Sequence, residues 1–513
     1  MSGTRISNLL KKVTVLVFIC YLTLPAQGKY GGGTGEPNDP YQIADANALL
    51  ELAADTNDYG KCFLMTADVN MQGQSFTDAI IAPHTGGYSE PFQGKAFTGT
   101  FDGNGHKITS FNISGLKNWY IGLFGQIDSG GTVRNLGLEN FAVNGARYIG
   151  CLVGNNVNGS IRNCYSIGQI SGSSQSRYIG GLVGYNSGSI SNCQSSYQSI
   201  TYQKVALSNS TDYISGYFSA GGLVGVNSGS ISDCWSTASV GGSGGSSAFG
   251  GFAGINSGNI TSCYSTGTSV GESSVGGFVG SNSGNIINCH STGQVNGYYL
   301  LIGGFAGKNI GSITKCYSTG SVIVSSISQY IGGLVGDNDS GGSISNCFAT
   351  GVVNDSYNGK YVGGLVGGNY NSSINNCYST STVKGNNYIG GLVGRTWYGS
   401  NISNCFSMGQ ISGSTNVGGL IGVTENDSNT TNSFWDIDTS GWKTSDGGTG
   451  LPTAKMKTKS TFTDAGWDFI NVWNIGENQT YPYLRKYSPA NLNKDHKVDF
   501  LDIKILCEQW LQE

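Results

Sequence analysis

The chain writes one phrase again and again through its middle, and a repeat of this length constrains the fold more than any other feature. The phrase is G-G-[LF]-[VA]-G-x-N-x-G-x-I-x-N-C-[YF]-S-T-G. One copy runs from Gly250 to Gly267, and others begin at Gly180, Gly221, Gly276, Gly303, Gly332, Gly363 and Gly390. Divergent copies begin near Ile121, Ile149 and Gly418. The period is about 26 to 31 residues, with one longer interval between Cys193 and Cys234. A period of that size predicts stacked units that bury their faces against one another. It points to a long surface rather than a compact active site.

Within a copy three short strand-like runs are visible. They lie around I-G-G-L-V-G, around S-I-S-N-C-Y-S, and in a variable T-G-x-V-x-G tail, and N-x-G between the first two is a turn signal. The Ile and Cys of the second run are three residues apart, which breaks strict alternation. A bend at the intervening Asn restores both to the interior, and that Asn could stack amide to amide on its copies. The Leu and Val of G-G-L-V-G are both apolar, and the pattern does not decide which one points inward. Composition agrees with a turn-rich β architecture: 83 of 513 residues are glycine without a G-X-Y triplet, and only 11% are charged. A net charge of −4 provides no basic field for nucleic acid or an anionic membrane.

The ends read differently. Arg5, Lys11 and Lys12 precede the apolar run Val13 to Leu24, which is too short to anchor in a bilayer, and Ala26-Gln27-Gly28 follows it as a small-x-small site. Residues 1–28 are therefore expected to be an export signal cleaved near Gly28, and no second long apolar stretch suggests a transmembrane segment in the mature chain. Residues 29–112 are expected to form an N-terminal cap and the first strands. Here Ala44 to Thr56 is helical in pattern with Asp45 as its cap, and Cys62 to Thr66 reads as a strand. Phe97 to Ile108 reads as strand, D-G-N-G turn and strand, a hairpin-like segment that would cover the first rung. The repeats fill 113–430. Dense aromatics in 431–487, among them Phe434, Trp435, Trp467, Phe469 and Trp473, predict a C-terminal cap, and 488–513 is a separate tail.

Nine of the 13 cysteines hold one repeat position: Cys164, Cys193, Cys234, Cys263, Cys289, Cys316, Cys347, Cys377 and Cys405. Stacked rungs place them about 4.8 Å apart with parallel Cβ vectors, which suits a ladder of small reduced thiols better than a disulfide. Export favours the competing disulfide reading. No C-x-x-C or Cys/His cluster suggests zinc. Catalytic residues on a parallel β-helix are clustered Asp, Glu, Arg or His. Asp233, Asp337, Asp339 and His290 sit at unlike repeat positions, and Asp102, near His106, is explained as a turn former. The aromatic after each repeat cysteine stands out more: Tyr165, Trp235, Tyr264, Tyr317, Phe348, Tyr378 and Phe406 should face outward. They either stack on one another or form a platform for sugar rings or a partner protein. A second set, Tyr148, Tyr178, Tyr330, Tyr361 and Tyr388, precedes the I-G or V-G that opens a copy.

The repeat resembles the GLUG motif family over about 300 residues and roughly ten copies. The resemblance implies an all-β fold, a parallel β-helix or β-solenoid of about ten rungs, in an exported protein such as a surface adhesin or the non-catalytic part of a protease. It implies no reaction. The tail resembles one calcium-binding repeat of a type I dockerin. Asn491, Asn493, Asp495, Asp499 and Asp502 stand at loop positions 1, 3, 5, 9 and 12, and the Lys497 carbonyl stands at position 7. Hard oxygens at that spacing suit Ca²⁺. The resemblance implies a small helical tail over Ile503 to Leu511 and a cohesin-like partner. Two features depart from the family: His496 replaces the turn glycine, and only one copy is present. Together these features lead us to expect an exported, non-catalytic binding or adhesion protein for polysaccharide or a cell-surface protein, with a polysaccharide lyase or glycoside hydrolase on the same fold as the alternative.

Overall fold

The structure is a computed structural model that describes residues 29–202, 218–242 and 247–485. The export signal and the calcium-loop tail of the sequence reading lie outside the described residues. The described residues form a stack of parallel ladders, a β-solenoid of about eleven turns.

Each turn supplies a strand to three sides. The first side is an eleven-stranded ladder of V-G-x-N segments, from Phe124–Ile127 to Ile421–Thr424. The second is a fourteen-stranded ladder of S-I-S segments, from Tyr41–Ile43 to Asn429–Thr431. The third holds the aromatic after each cysteine, then the variable tail and the residues before G-G. Pairing on all three sides is parallel and keeps homologous positions in register, as in Ile260↔Ile286↔Ile313. The second ladder already begins inside 29–112, so the solenoid extends into the expected cap.

The bend between Ile and Cys is present. Its residue has positive φ throughout, from Asn135 at 54° to Asn432 at 47°, and Ile and Cys on either side are both buried. Asn is the residue that tolerates this region best after glycine, which explains its recurrence. Its amides stack only at the first rungs, Asn163 to Asn135 at 2.9 Å and Asn192 to Asn163 at 2.8 Å. Asp233, Ser262 and Lys315 interrupt the row thereafter.

The continuous amide ladder runs along a different corner, at the Asn of V-G-x-N. Asn156, Asn186, Asn227, Asn256, Asn282, Asn309, Asn338 and Asn369 are fully buried. Each donates from Nδ2 to Oδ1 of the next at 2.7–2.8 Å. The second N–H reaches a glycine carbonyl in the turn, as from Asn282 to Gly284 at 3.1 Å. A buried amide has to be satisfied, and a copy of itself one rung away satisfies it.

The cysteines form a second polar ladder. All nine repeat thiols are buried and free. Each Sγ lies 3.0–3.3 Å from the carbonyl two residues earlier, to which the S–H donates. From Cys193 to Cys377 each Sγ also accepts the backbone N–H of the preceding cysteine, at 3.2–3.4 Å. Ser433 takes over at the last rung with the same two bonds, accepting from Cys405 N at 3.1 Å and donating to Thr431 O at 2.8 Å. Burial pushes the Cys289 thiol well above its ordinary range, which keeps the donor proton in place.

Both Leu and Val of G-G-L-V-G are buried, because the chain turns between them. Where Phe replaces Leu the rings stack inside the core, Phe252 on Phe278 at 4.6 Å and Phe278 on Phe305 at 4.8 Å. The second glycine lies against the next copy: a Cβ on Gly277 would sit 2.2 Å from the Gly304 carbonyl oxygen, so no larger residue fits.

The N-terminal helix forms as Ala46–Ala54, with Asp45 accepting the Ala48 N–H at 2.9 Å and Leu49 and Leu52 buried over the first rungs. The hairpin expected from Phe97 to Ile108 is not one. Thr100–Asp102 joins the second side and Lys107–Thr109 the third, so the D-G-N-G segment is a corner of the solenoid. Asp102 holds that corner by accepting from Asn104 N, Asn135 Nδ2 and Arg134 Nε. The C-terminal cap closes the last turn and then folds back along the third side. Trp473 Nε1 donates to Asn376 Oδ1 at 3.3 Å, almost a hundred residues away in sequence.

A substitution series on Cys289 separates a bonded ladder from filler. Cys289→Ser keeps both bonds, as Ser433 does, whereas Cys289→Ala leaves the Cys263 N–H without its acceptor, and the Ala variant should be the less stable by about 1–3 kcal/mol. Denaturation midpoints for the pair check this. Thiol titration should find the rung cysteines unreactive in native protein and all reactive once unfolded, with no disulfide between consecutive copies.

Candidate functional site

The third side carries the aromatics that follow the cysteines, and their rings form a file along the axis. Trp235 stacks on Tyr264 at 6.0 Å, Tyr264 on His290 at 5.1 Å and His290 on Tyr317 at 4.7 Å. Tyr317 stacks on Phe348 and Phe348 on Tyr378, each at 4.9 Å, and Tyr378 on Phe406 at 5.1 Å. Ring planes along the file agree within 10°. The stacking uses the ring faces that a sugar platform would need. Tyr165 stands apart, since Gln194 occupies the rung between, and its hydroxyl donates to Glu139 at 2.8 Å.

Three of the seven aromatics expected to face outward differ from that expectation. Tyr165, Trp235, Tyr264 and Tyr317 are half-buried, but Phe348, Tyr378 and Phe406 are buried beneath the C-terminal cap with Trp467 and Trp473. The cap needs an apolar surface to dry against, and these rings provide it. His290, which looked like a stray polar residue, is a member of the file.

The tyrosines before the I-G or V-G that opens a copy form a second file, where the third side turns into the first. All lie at positive φ: Tyr120 at 60°, Tyr148 at 53°, Tyr178 at 59°, Tyr330 at 60°, Tyr361 at 62° and Tyr388 at 57°. Tyr120 packs on Tyr148 at 4.5 Å and Tyr148 near Tyr178 at 5.0 Å. Tyr330 and Tyr388 flank Tyr361 at 5.1 Å each. Beside Tyr120 and Tyr148 opens a cleft of about 530 Å³, lined also by Glu90, Phe92, Gln126 and Asn155. The Tyr148 hydroxyl donates to Glu90 at 2.7 Å, and burial together with that bond holds the phenol protonated. Tyr120, and the 84–93 segment that closes the cleft, were not singled out from sequence; the segment carries no repeat signature.

The carboxylates picked out earlier do not converge. Asp102 holds its corner, and His106 Nδ1 lies 3.1 Å from Asp68. Asp233 sits at the bend between Ile and Cys. Asp339 pairs with Lys308 at 2.7 Å. Asp337 is buried on the first side between Lys308 and Gly368, and its Oδ1 has no hydrogen-bond partner. A Cβ on Gly368 would lie 2.5 Å from the Tyr330 ring and 2.8 Å from that Oδ1, so the ring fills the gap the glycine leaves. Burial, with the neighbouring Asp339, pushes the Asp337 carboxyl up to about 7. Among the described residues no group of three His, Cys, Asp or Glu is placed to hold a metal ion, and no helix is long and apolar enough to cross a membrane. The calcium loop Asn491 to Asp502 lies outside the described residues.

Comparison with known proteins agrees on the repeat. Six segments match the GLUG motif: 175–201, 271–296, 298–323, 327–354, 358–384 and 385–412. A stretch of 160 residues, 30% of this chain, is 30% identical to halomucin of Haloquadratum walsbyi, of which it spans 2%. A stretch of 166 residues is 32% identical to a protein of Evansella cellulosilytica provisionally named a Gly-rich membrane protein, of which it spans 18%. The chain thus spans a small part of both relatives. A solved structure from Bacteroides ovatus, provisionally titled an immunoglobulin A1 protease, aligns with 90% of this chain and 96% of its own at 16% identity. Its TM-score of 0.29 is too low to bear on fold or function.

The Asp337 carboxyl makes stability depend on pH. Its folded value near 7 lies above the ordinary 3.8, so its contribution is complete below about pH 4 and is lost as pH rises through 7. Asp337→Asn should match the wild type near pH 4 and exceed it at pH 8 by roughly 2–4 kcal/mol, seen as a higher Tm. Equal Tm values at pH 8 would show that the carboxyl is solvated.

Proposed function

We propose that this chain is an exported, non-catalytic binding or adhesion protein that presents its solenoid surface to polysaccharide or to a cell-surface protein. The observation that carries this reading is the rigid parallel frame with aromatic side chains repeated along its outward positions. A frame held in register by buried polar ladders fixes the spacing of those groups, and fixed spacing serves recognition of an extended partner. A mucin-named relative and a relative named as a membrane protein both favour a surface setting, and an export signal cleaved near Gly28 would fit it.

The tail adds calcium to the reading. The loop Asn491, Asn493, Asp495, Lys497, Asp499 and Asp502 would coordinate Ca²⁺, and the ordered helix behind it would dock on a cohesin-like partner or on the solenoid's own end. Only Asp495, Asp499 and Asp502 bring charge, and Asp at position 12 is shorter than the usual Glu. The affinity is therefore expected at the weak, extracellular end, on the order of 10⁻⁴ M.

Two measurements test the proposal. Calorimetry with Ca²⁺ should give heat with the full chain and none with an Asp495→Ala, Asp502→Ala variant; equal heats would remove calcium from the reading. Incubation with pectins, alginates and sulfated and neutral glycans should show retention without new reducing ends or unsaturated products. Turnover abolished by one substitution in the repeats would favour a lyase or hydrolase instead.

A further inference from the structure

We infer that two tyrosine stations on one edge of the solenoid bind a single extended chain of neutral sugar rings. This rests on the binding-protein reading above and names the surface and the ligand class.

The first argument is conformational. The residue before the [IV]-G-G segment sits in the left-handed region, which costs a tyrosine roughly 1–2 kcal/mol and an asparagine less. Asn416 fills the same position near the C-terminal end at φ 52°, so the fold does not require an aromatic there. In the middle rungs Ser274 and Leu301 hold it at φ 47° and 57°, and Ser219 and Ala248 stand at the equivalent register. The tyrosines therefore occur in two blocks of three, Tyr120, Tyr148 and Tyr178, and Tyr330, Tyr361 and Tyr388. Tyr120 also packs on His84 and Phe92, and Tyr330 fills the space beside Gly368, but the other four strained aromatics, Tyr148, Tyr178, Tyr361 and Tyr388, point to a role outside folding.

The second argument is that both blocks reach the same constellation from different positions. In the first, Arg147 comes from the strand that leads into Tyr148. Its guanidinium lies 4.8 Å from the Trp119 ring centre and 5.6 Å from those of Tyr148 and Tyr178, and it pairs with Glu90 at 2.8 Å. In the second, Arg395 comes from the first side of the solenoid. It lies 5.0 Å from Tyr361 and 4.5 Å from Trp397, and it pairs with Glu425 at 2.5 Å. Repetition of the motif alone would have put the arginines at equivalent positions.

The chemistry selects the ligand. Each arginine is balanced by a glutamate, and Asp337 behind Tyr330 brings no positive charge, so neither station offers a net cation to an acidic polymer. Tyr120 is buried and the ring faces inside each block pack on one another, so the half-buried edges of Tyr148, Tyr178, Tyr330, Tyr361 and Tyr388 are what meets the apolar side of a sugar, and hydroxyls and amides suit its edge. At the first station the cleft adds such a pair. Asn155 Nδ2 donates to Gln126 Oε1 at 2.8 Å, which leaves the Gln126 amide N–H groups and Asn155 Oδ1 for a ligand's hydroxyls.

The spacing selects length. Tyr178 and Tyr330 are separated by five rungs, followed through Ile179↔Ala220↔Phe249↔Val275↔Ile302↔Ile331. At about 4.8 Å per rung the gap is about 24 Å. A long chain lying along the edge can touch both stations, and a short oligomer can touch one. Linking two weak sites raises apparent affinity by about 10²–10⁴ without new contacts.

Calorimetry on the full chain, with soluble linear glucans, xylans and mannans of roughly three and roughly twelve rings, tests this. The wild type should bind the longer form of at least one of them more than about tenfold tighter than the shorter. Tyr148→Asn and Tyr361→Asn should each abolish that length-dependent gain while keeping short-oligomer binding at the other station, and the double variant should bind neither length. Asn fits the left-handed position and so offsets part of the lost ring packing, and the variants should keep a cooperative melting transition close to that of the wild type. Unchanged long-chain binding by the double variant would overturn the stations while leaving the binding-protein reading in place. A wild type that adheres to protein-coated surfaces but to no sugar chain would overturn the ligand class alone, and one that binds neither would sink both.

Discussion

Stacking homologous residues about 4.8 Å apart sets every side chain beside its own copy, so an interior position must hold a residue that is stable next to itself. An asparagine amide meets that condition, because it carries a donor and an acceptor. The column from Asn156 to Asn369 uses both. A thiol meets it by donating to a carbonyl on its own rung and accepting an N–H from the rung before. Phe meets it by offset stacking, and glycine by letting two backbones touch. A charge does not meet it, since like charges at that distance repel strongly in a dry interior. The same condition explains why so few residues are charged; Asp337, between Lys308 and Gly368, is held up toward its neutral form by burial instead.

Much of this was legible in the chain because the condition acts on one residue and its copies, and copies are visible in sequence. The period, the parallel stack, the bend that turns both Ile and Cys inward, the thiol column and the capped helix after Asp45 all follow from local pattern. The errors have a common cause as well. The amide ladder was expected at the bend, but it runs at the G-x-N turn, where the surrounding glycines looked like a sufficient explanation of the asparagine. Leu and Val could not be separated because a corner between them sends both inward. Alternation correctly put the aromatics after cysteine outside the solenoid wall, but no local signal indicated that Trp467 and Trp473 return to cover Phe348, Tyr378 and Phe406. The Arg147 and Arg395 clusters were hidden for the opposite reason, since they break the repeat and become neighbours only in three dimensions.

The ends show what a directional ladder requires. In the amide column the donor always faces the C-terminal neighbour, so the first member keeps a buried acceptor without a donor, Asn156 Oδ1, beside Ile127. At the other end the last donor meets Thr396 Oγ1 at 3.5 Å, a hydroxyl in place of an amide. The thiol column likewise ends on a hydroxyl, that of Ser433, just before the chain leaves the repeat. A parallel stack with open ends would template further strands. The helix Ala46–Ala54 at one end and the Trp-rich cap at the other remove that option with apolar cover, and the hydroxyls finish the polar columns beneath it.

Self-complementarity also determines where recognition can be written. Positions that face the interior are limited to residues that tolerate their own copies, so they hold little beyond the fold. Outward positions are free of that limit, and there the rungs differ: the tyrosine file is interrupted by Ser219, Ala248, Ser274 and Leu301, while the interior columns beneath it continue. A surface that varies over an interior that does not gives a ruler whose marks can be set one rung at a time. The strain of a left-handed tyrosine is tolerable in such a frame because parallel ladders on both sides over-determine the backbone at each rung. In the proposed binding role, such a frame would hold two groups of side chains at a fixed separation for a long, repetitive ligand.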